Sequence, residues 1–298
     1  MNDWYGCLPG HSGQTTDGVQ ACCQAPLLGV HCWIGLPPHT IKNKALWAKF
    51  RFPVTITLKA LYGHPETPTS WELTSAAELN LANFLPLGPE WPSTYFHGPL
   101  RLTVTVYVDD FKMGGPAELL ARAWALLKKN IDMEPPTDLT RYLGCNHKIS
   151  DVQVPADMPW NQIPKIAQSA SRKGAPGQLL DYDMVDYVDQ CLKAYVDLAG
   201  ENWKGWVEAG TPNVQNPGDW PDDPGAGSLA SIALKVLMKV MYLARLARPD
   251  LMWATCQLAK KVTKWDGECD RRLHRLMSYL YHTRTLIMSA VVADGPDD

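Results

Sequence analysis

Apolar and polar residues alternate from Leu102 through Val108 within the stretch RLTVTVYVDDFKMGG, residues 101–115. That period belongs to a half-buried strand. Leu102, Val104, Val106 and Val108 are expected to face a core, and Thr103, Thr105, Tyr107 and Asp109 to face away from it. Two adjacent carboxylates, Asp109 and Asp110, break the alternation before Phe111-Lys112-Met113 resumes it. The pattern predicts a β-hairpin with an acidic tip. Asp also tolerates turn geometry, so on this pattern alone an ordinary turn is the plainer reading of the pair.

The same kind of alternation runs through Val54–Leu61 (VTITLKAL), and Gly63 and Pro65 end it. A helix is expected over Trp71–Leu85, then a strand over Glu90–Phe96 leading to the hairpin. Gly115-Pro116 opens a further helix, since Pro suits a first helical turn. Its stripe of Leu119, Leu120, Ala123, Leu126 and Leu127 is core packing. Lys128 and Lys129 at its end complement the helix dipole and are assigned no chemistry. Arg141–His147 predicts a second hairpin turning at Gly144. Residues 150–180 read as loop, Asp183–Leu198 as helix, and 210–227 as a linker dense in Pro and Gly. Helices are expected over Ser228–Ala247, N-capped by Ser228, over Pro249–Trp265 and over Asp270–Thr283. No internal repeat is evident. The pattern divides the chain into 1–150, a connecting segment 151–227, and a helical region 228–298.

A hydrophobic content of 46% with 20% charged residues describes a folded chain rather than a disordered one. No apolar run approaches the roughly eighteen residues that span a bilayer. The N-terminal MNDWYGCLPGH has neither a basic end nor an apolar stretch, which argues against a signal peptide. A cytoplasmic or nuclear, non-secreted location without membrane partners is expected. The eight cysteines are scattered without a Cys-x-x-Cys pair, which fits free thiols in a reducing compartment. A zinc site from His31-Cys32 with Cys145-x-His147 is the alternative, although it lacks paired ligand spacing. Charge is uneven. Residues 151–223 hold 5 Lys+Arg against 12 Asp+Glu, and residues 235–285 hold 11 against 4. A basic helical region suits phosphate backbones, or forms a solvated helix face.

Read as a unit, Tyr107-Val108-Asp109-Asp110 resembles the catalytic hairpin of reverse transcriptases, and Val106–Gly115 is similar to that of copia-type retrotransposons. Other segments resemble the family in the same order. Thr16–Ala25, leading to His31–Pro38, resembles the segment in which an Asp begins an Asp-Val-x-x-Ala-aromatic run before a strand ending in Pro. There Asp17 would be the third catalytic carboxylate, although taken alone it is an ordinary loop aspartate. Leu61-Tyr62-Gly63, with Pro68 and Trp71 at the family's spacing, resembles its most distinctive sequence. Relatives carry an amide and an arginine where this chain has Glu66 and Thr69. Arg141–His147 looks like the primer-grip hairpin, with Tyr142, Leu143 and Gly144 in the grip, or is the same turn without that function. Tyr242-Leu243-Ala244, followed by Arg248-Pro249-Asp250, resembles a thumb motif, and Thr211-Pro212 lies ahead of it.

The resemblance runs from about Asp17 to Arg284 and implies an α+β fold: a reverse-transcriptase palm, with a small antiparallel sheet backed by helices, followed by a helical thumb. It implies an RNA-directed DNA polymerase, a nucleotidyltransferase that uses two Mg²⁺ or Mn²⁺ ions. Asp17 and Asp109 would bridge both ions and Asp110 would support one. Cys22, Tyr62, Gly63, Trp71 and Tyr107 would meet nucleotide or template. Cys22 occupies the place of a usual aromatic residue, so the space for a ribose 2′-hydroxyl is expected to be open. The implied partners are an RNA or DNA template with primer, deoxynucleoside triphosphates, and other parts of a retrotransposon polyprotein. Sixteen residues precede Asp17. The chain is therefore expected to lack fingers and, ending at Asp298, a ribonuclease H domain, as a fragment or relic would, and to extend primers poorly. The alternative is a catalytically inactive nucleic-acid-binding relic of the same fold.

Overall fold

The computed structural model describes residues 2–30, 32–153, 176–214 and 225–293. It is mixed α+β, with antiparallel sheets and helices, and it divides into two compact units: one up to Leu139, the other from Thr140 to Val292. The division falls earlier than position 150, which places the Tyr142–Gly144 hairpin in the second unit.

The first unit begins with α1 (Asn2–Gly6), β1 (His11–Asp17) and α2 (Ala21–Gln24). A two-stranded ribbon follows, β2 (Trp33–Gly35) and β3 (Val54–Ile56), with the short α3 (Lys44–Trp47) between them. Next come α4 (Thr67–Leu81), β4 (Leu85–Pro86), β5 (Thr94–His97), β6 (Leu102–Tyr107), β7 (Asp110–Pro116), α5 (Ala117–Leu127) and β8 (Thr137–Asp138). The six-stranded antiparallel sheet has the order β4-β5-β6-β7-β1-β8.

Alternation sorts its residues as the period requires. Leu102, Val104, Val106, Phe111 and Met113 lie on one face in a core shared with Trp71 and Leu79 of α4 and with Leu120, Ala123, Trp124 and Leu127 of α5. Val108 departs from the expected pattern. It is exposed, because Tyr107 already pairs with Asp110 and leaves Val108-Asp109 as a two-residue loop. The strand expected over Val54–Leu61 stops at Ile56, where its pairing with β2 ends, and Pro26 bridges Lys59 beyond it. The helix expected over Trp71–Leu85 begins earlier, at Thr67, and ends at Leu81.

At one end of the sheet's opposite face, α1 and the Leu139 side chain pack against the strands. There β1 and β7 pair Gly13 with Gly114, and a Cβ at Gly114 would sit 2.6 Å from the Asn2 carbonyl oxygen. The glycine therefore lets α1 settle directly on the strand. A buried ion pair of 2.7 Å between Asp3 and Lys112 fixes it. Beyond Lys112 that face carries Asp17 and Tyr107, both exposed, and Asp110, which is partly buried.

The second unit contains β9 (Arg141–Tyr142), β10 (Cys145–Gln153), β11 (Pro176–Asp183), α6 (Val185–Ala199), α7 (Ala230–Leu246), α8 (Met252–Ala259), α9 (Gly267–His282) and β12 (Met288–Ala293). The strands form a sheet ordered β12-β11-β10-β9. Residues 150–153 and 176–180 are therefore ladder, not loop, and 154–175 lie outside the described residues, as do 215–224 of the expected linker. Val188, Leu192 and Tyr195 of α6 share one core with Val236, Leu237 and Leu243 of α7 and Leu273, Leu276 and Leu280 of α9. Ser228 does not cap α7. Asp270 of α9 instead accepts from the Ser228 amide (2.6 Å) and hydroxyl (2.9 Å), the Leu229 amide (3.1 Å) and the Trp265 indole (2.6 Å). A carboxylate from a distant helix thus satisfies donors at the start of α7, where negative charge is favoured.

Candidate active site

Register brings the acidic residues together. In the antiparallel pairing of β1 with β7, Asp17 stands opposite Asp110, so both side chains leave the same face of the sheet. Asp109 occupies the second position of the loop, and its carbonyl accepts from the Gly18 amide at 2.7 Å, tying the loop to the end of β1. Asp110 is pushed up from 3.8 to about 6. Burial contributes most; a hydrogen bond shared with Asp17 and the charges of Asp17 and Asp109 add to it. Three carboxylates at one sheet end repel one another, and a proton or a cation relieves that repulsion.

The loop that carries Asp109 is strained. Val108 sits at φ 57°, a region that β-branched residues rarely enter. Its carbonyl accepts a 2.5 Å hydrogen bond from the indole nitrogen of Trp71, which is 3% exposed in the first turns of α4. Trp71 therefore reaches the loop from below, through backbone. The turn before α4 supplies the approach. The His64 amide donates to the Leu61 carbonyl at 3.1 Å with Gly63 at φ 92°, the geometry that Gly allows at the third position of a turn. The Thr67 hydroxyl donates to the same carbonyl at 2.6 Å and locks the turn to the helix. Trp71→Phe should cost about 1–2 kcal/mol in urea unfolding by orphaning the Val108 carbonyl. Adding Val108→Gly should recover part of that loss, because glycine takes the positive φ freely. A double variant no more stable than Trp71→Phe alone would show that the loop stores no strain.

The remaining residues expected at the site divide between the two units. Cys22, in α2, is buried; burial raises its thiol, and the Asp109 charge and a hydrogen bond with the Tyr62 hydroxyl act on it as well. Tyr62 is exposed beside Cys22 and Asp109. Tyr107 is exposed on the carboxylate face, paired with Asp110. Gly63 shapes its turn and meets nothing within 4 Å of a Cβ position. Tyr142, Leu143 and Gly144 belong to the second unit. Leu143 (φ 48°) and Gly144 (φ 73°) form a tight loop between β9 and β10, of the type in which both central residues have positive φ. The Tyr242 hydroxyl donates to the Leu143 carbonyl at 2.6 Å, so the Tyr-Leu-Ala motif of α7 holds this hairpin. No sequence pattern marks that tie, because the two partners are ninety-nine residues apart.

Among the described residues, no three or more His, Cys, Asp or Glu side chains are arranged to hold a metal ion as placed. Cys32, Cys145 and His147 make no such group, and His31 lies outside the described residues. The aspartates approach one another without closing round a common point. Their donor set is nonetheless hard oxygen, which suits Mg²⁺, an ion that keeps several waters and needs only one or two carboxylates. Among the described residues no helix is long and apolar enough to cross a membrane. No protein-family model matches the chain, and no curated protein sequence matches it.

Proposed function

We propose that the chain is a templated nucleotidyltransferase of the reverse-transcriptase type, related to copia-type retrotransposon polymerases. In this reading the first unit is the palm, and the Tyr142–Gly144 hairpin with the helices of the second unit corresponds to primer grip and thumb. The observation that carries it is the pairing of Asp17 with Asp110 on one face of the sheet, with Asp109 in the adjoining loop. The order of motifs along the chain supports the same reading. Asp17, Asp109 and Asp110 would hold the divalent ions, which when bound supply charge neutralisation and an activated primer hydroxyl. The protein's own part is placement. Trp71 fixes the loop, α1 leaves Asp17 exposed at the acidic end of the sheet, and Tyr62 and Tyr107 offer exposed rings beside it. The test is extension of a DNA primer on an RNA template with Mg²⁺ or Mn²⁺. Extension supports the proposal, whereas tight primer–template binding without extension returns the chain to the inactive relic.

A metal-dependent stability follows from the same cluster. An acid whose pKa rises on folding binds its proton more tightly in the folded state. Between about 4 and about 6 the folded protein therefore holds more protons at Asp110, and that residue's contribution to stability falls as pH rises through this window. The melting temperature of wild type minus that of Asp110→Asn should become more negative across that range. Mg²⁺ or Mn²⁺ should raise the wild-type melting temperature above about pH 7 and have little effect below about pH 4.5, where the carboxyl is protonated. A metal effect that is equal at both pH values, or unchanged in Asp110→Asn, would place the ion elsewhere.

A further inference from the structure

Between Gly18 and Pro65 the chain contains no Asp or Glu, yet it carries Lys42, Lys44, Lys49, Arg51 and Lys59. Lys59 donates to the Gln24 carbonyl. The other four cations are exposed and take part in none of the ion pairs among the described residues. The run Leu46-Trp47-Ala48-Lys49-Phe50-Arg51-Phe52 interleaves these cations with aromatic rings. Phe50 is 60% exposed, Phe52 78% and Trp33 61%. Leu46, Trp47, Phe50, Phe52, Pro53 and Val54 line a hollow of about 360 Å³. Val54 pairs with Gly35 and Ile56 with Trp33, so Trp33 leaves the ribbon on the same face as Val54. The Arg51 guanidinium lies 5.4 Å from the Phe52 ring centre.

Large rings left bare beside unpaired cations mark a surface built for a partner rather than for water. The absence of any acid across this stretch makes that partner anionic. Rings alternating with cations match a chain that alternates bases with phosphates. A duplex hides its base faces, whereas an unpaired strand offers them. We propose that the ribbon β2–β3 with residues 42–53 binds single-stranded nucleic acid by stacking bases on Trp33, Phe50 and Phe52 while Lys42, Lys44, Lys49 and Arg51 meet phosphates. The proposal rests on this surface alone and does not require the carboxylates to be catalytic.

The test is fluorescence anisotropy of a labelled oligothymidylate of about 20 nucleotides with the full chain, across a salt series. Trp33→Ala/Phe50→Ala/Phe52→Ala should weaken binding at least about tenfold. Changing the four cations to Gln should reduce the slope of log affinity against log salt by about 3. Both variants alter exposed side chains, and matching circular dichroism melts confirm that they fold. Unchanged affinity in the aromatic variant overturns the proposal. So does competition by poly-glutamate as effective as that by unlabelled oligothymidylate, which would make the face a peptide site. Primer extension on the same preparations keeps the two readings apart. Aromatic-dependent binding without extension defeats the polymerase alone, and extension with no dependence on the rings defeats this surface alone.

Discussion

If the chain is the proposed polymerase, Asp109→Asn should lower templated primer extension by more than about a hundredfold, because it replaces a proposed ion-holding carboxylate with a neutral amide. Asp17→Asn should do the same, and neither variant should lose stability. In the absence of metal, burial first, then a hydrogen bond with Asp17 and the charges of Asp17 and Asp109, push Asp110 up to about 6. Replacing Asp110 by Asn removes a charge that burial and its neighbours disfavour and should stabilise the metal-free protein at neutral pH by about 1–2 kcal/mol, less than the roughly 2.7 kcal/mol of two pKa units because the group is partly exposed. This combination separates a site from a turn. Aspartates chosen only for turn geometry would leave activity intact and would cost stability when changed, since the Asp side chain suits turns. A site held for chemistry trades stability for function. Extension retained in Asp109→Asn would refute the proposed reading. So would stability losses in all three variants without any activity in the wild type.

Much of this site was legible in the sequence, and the parts that were not share a physical cause. The strand Leu102–Tyr107 announced itself by period, because one of its faces is buried against α4 and α5. Its end lies one residue before the alternation stops, since an exposed valine at positive φ looks in sequence like one more inward residue. The pairing of Asp17 with Asp110 leaves no trace in hydrophobic pattern, because it joins residues far apart in the chain; only the order of motifs suggested it. Residues 150–180 have the composition of a loop, yet 150–153 and 176–180 belong to the ladder of β10 with β11. Its residues from Lys148 to Gln153 are half or fully exposed, so no buried face imposes an alternation. Local chemistry favours Ser228 as the cap, whereas Asp270 satisfies the donors at the start of α7 from forty-two residues away. The resemblance implies that Trp71 lies at a binding site, and its own pattern implies a buried helix; the structure shows it buried, with its indole on the Val108 carbonyl.

The Arg248-Pro249-Asp250 motif makes the last prediction, and it concerns stability rather than chemistry. The Arg248 side chain is 4% exposed. Its guanidinium grips Asp250 through two hydrogen bonds of 3.0 and 2.8 Å and donates to the Thr283 carbonyl (3.0 Å) and hydroxyl (2.8 Å). The Tyr279 hydroxyl donates to the same Asp250 carboxylate at 3.0 Å. Burial alone would raise Asp250, but the arginine prevails and holds its carboxyl below the usual range. The motif thus clips the turn after α7 to the end of α9. Asp250→Ala would leave a buried guanidinium without its counterion, at a cost of about 3–5 kcal/mol. For a chain of this size that lowers the melting temperature by roughly 10 °C. Arg248→Ala should cost less, because Asp250 is 34% exposed at its side chain and can regain water. Arg248→Met/Asp250→Leu should recover most of the loss, since a well-packed apolar pair replaces a buried ion pair at little penalty. Were the motif instead a contact for nucleic acid, Asp250→Ala would keep its melting temperature and lose affinity for primer–template, and this structural reading would fall.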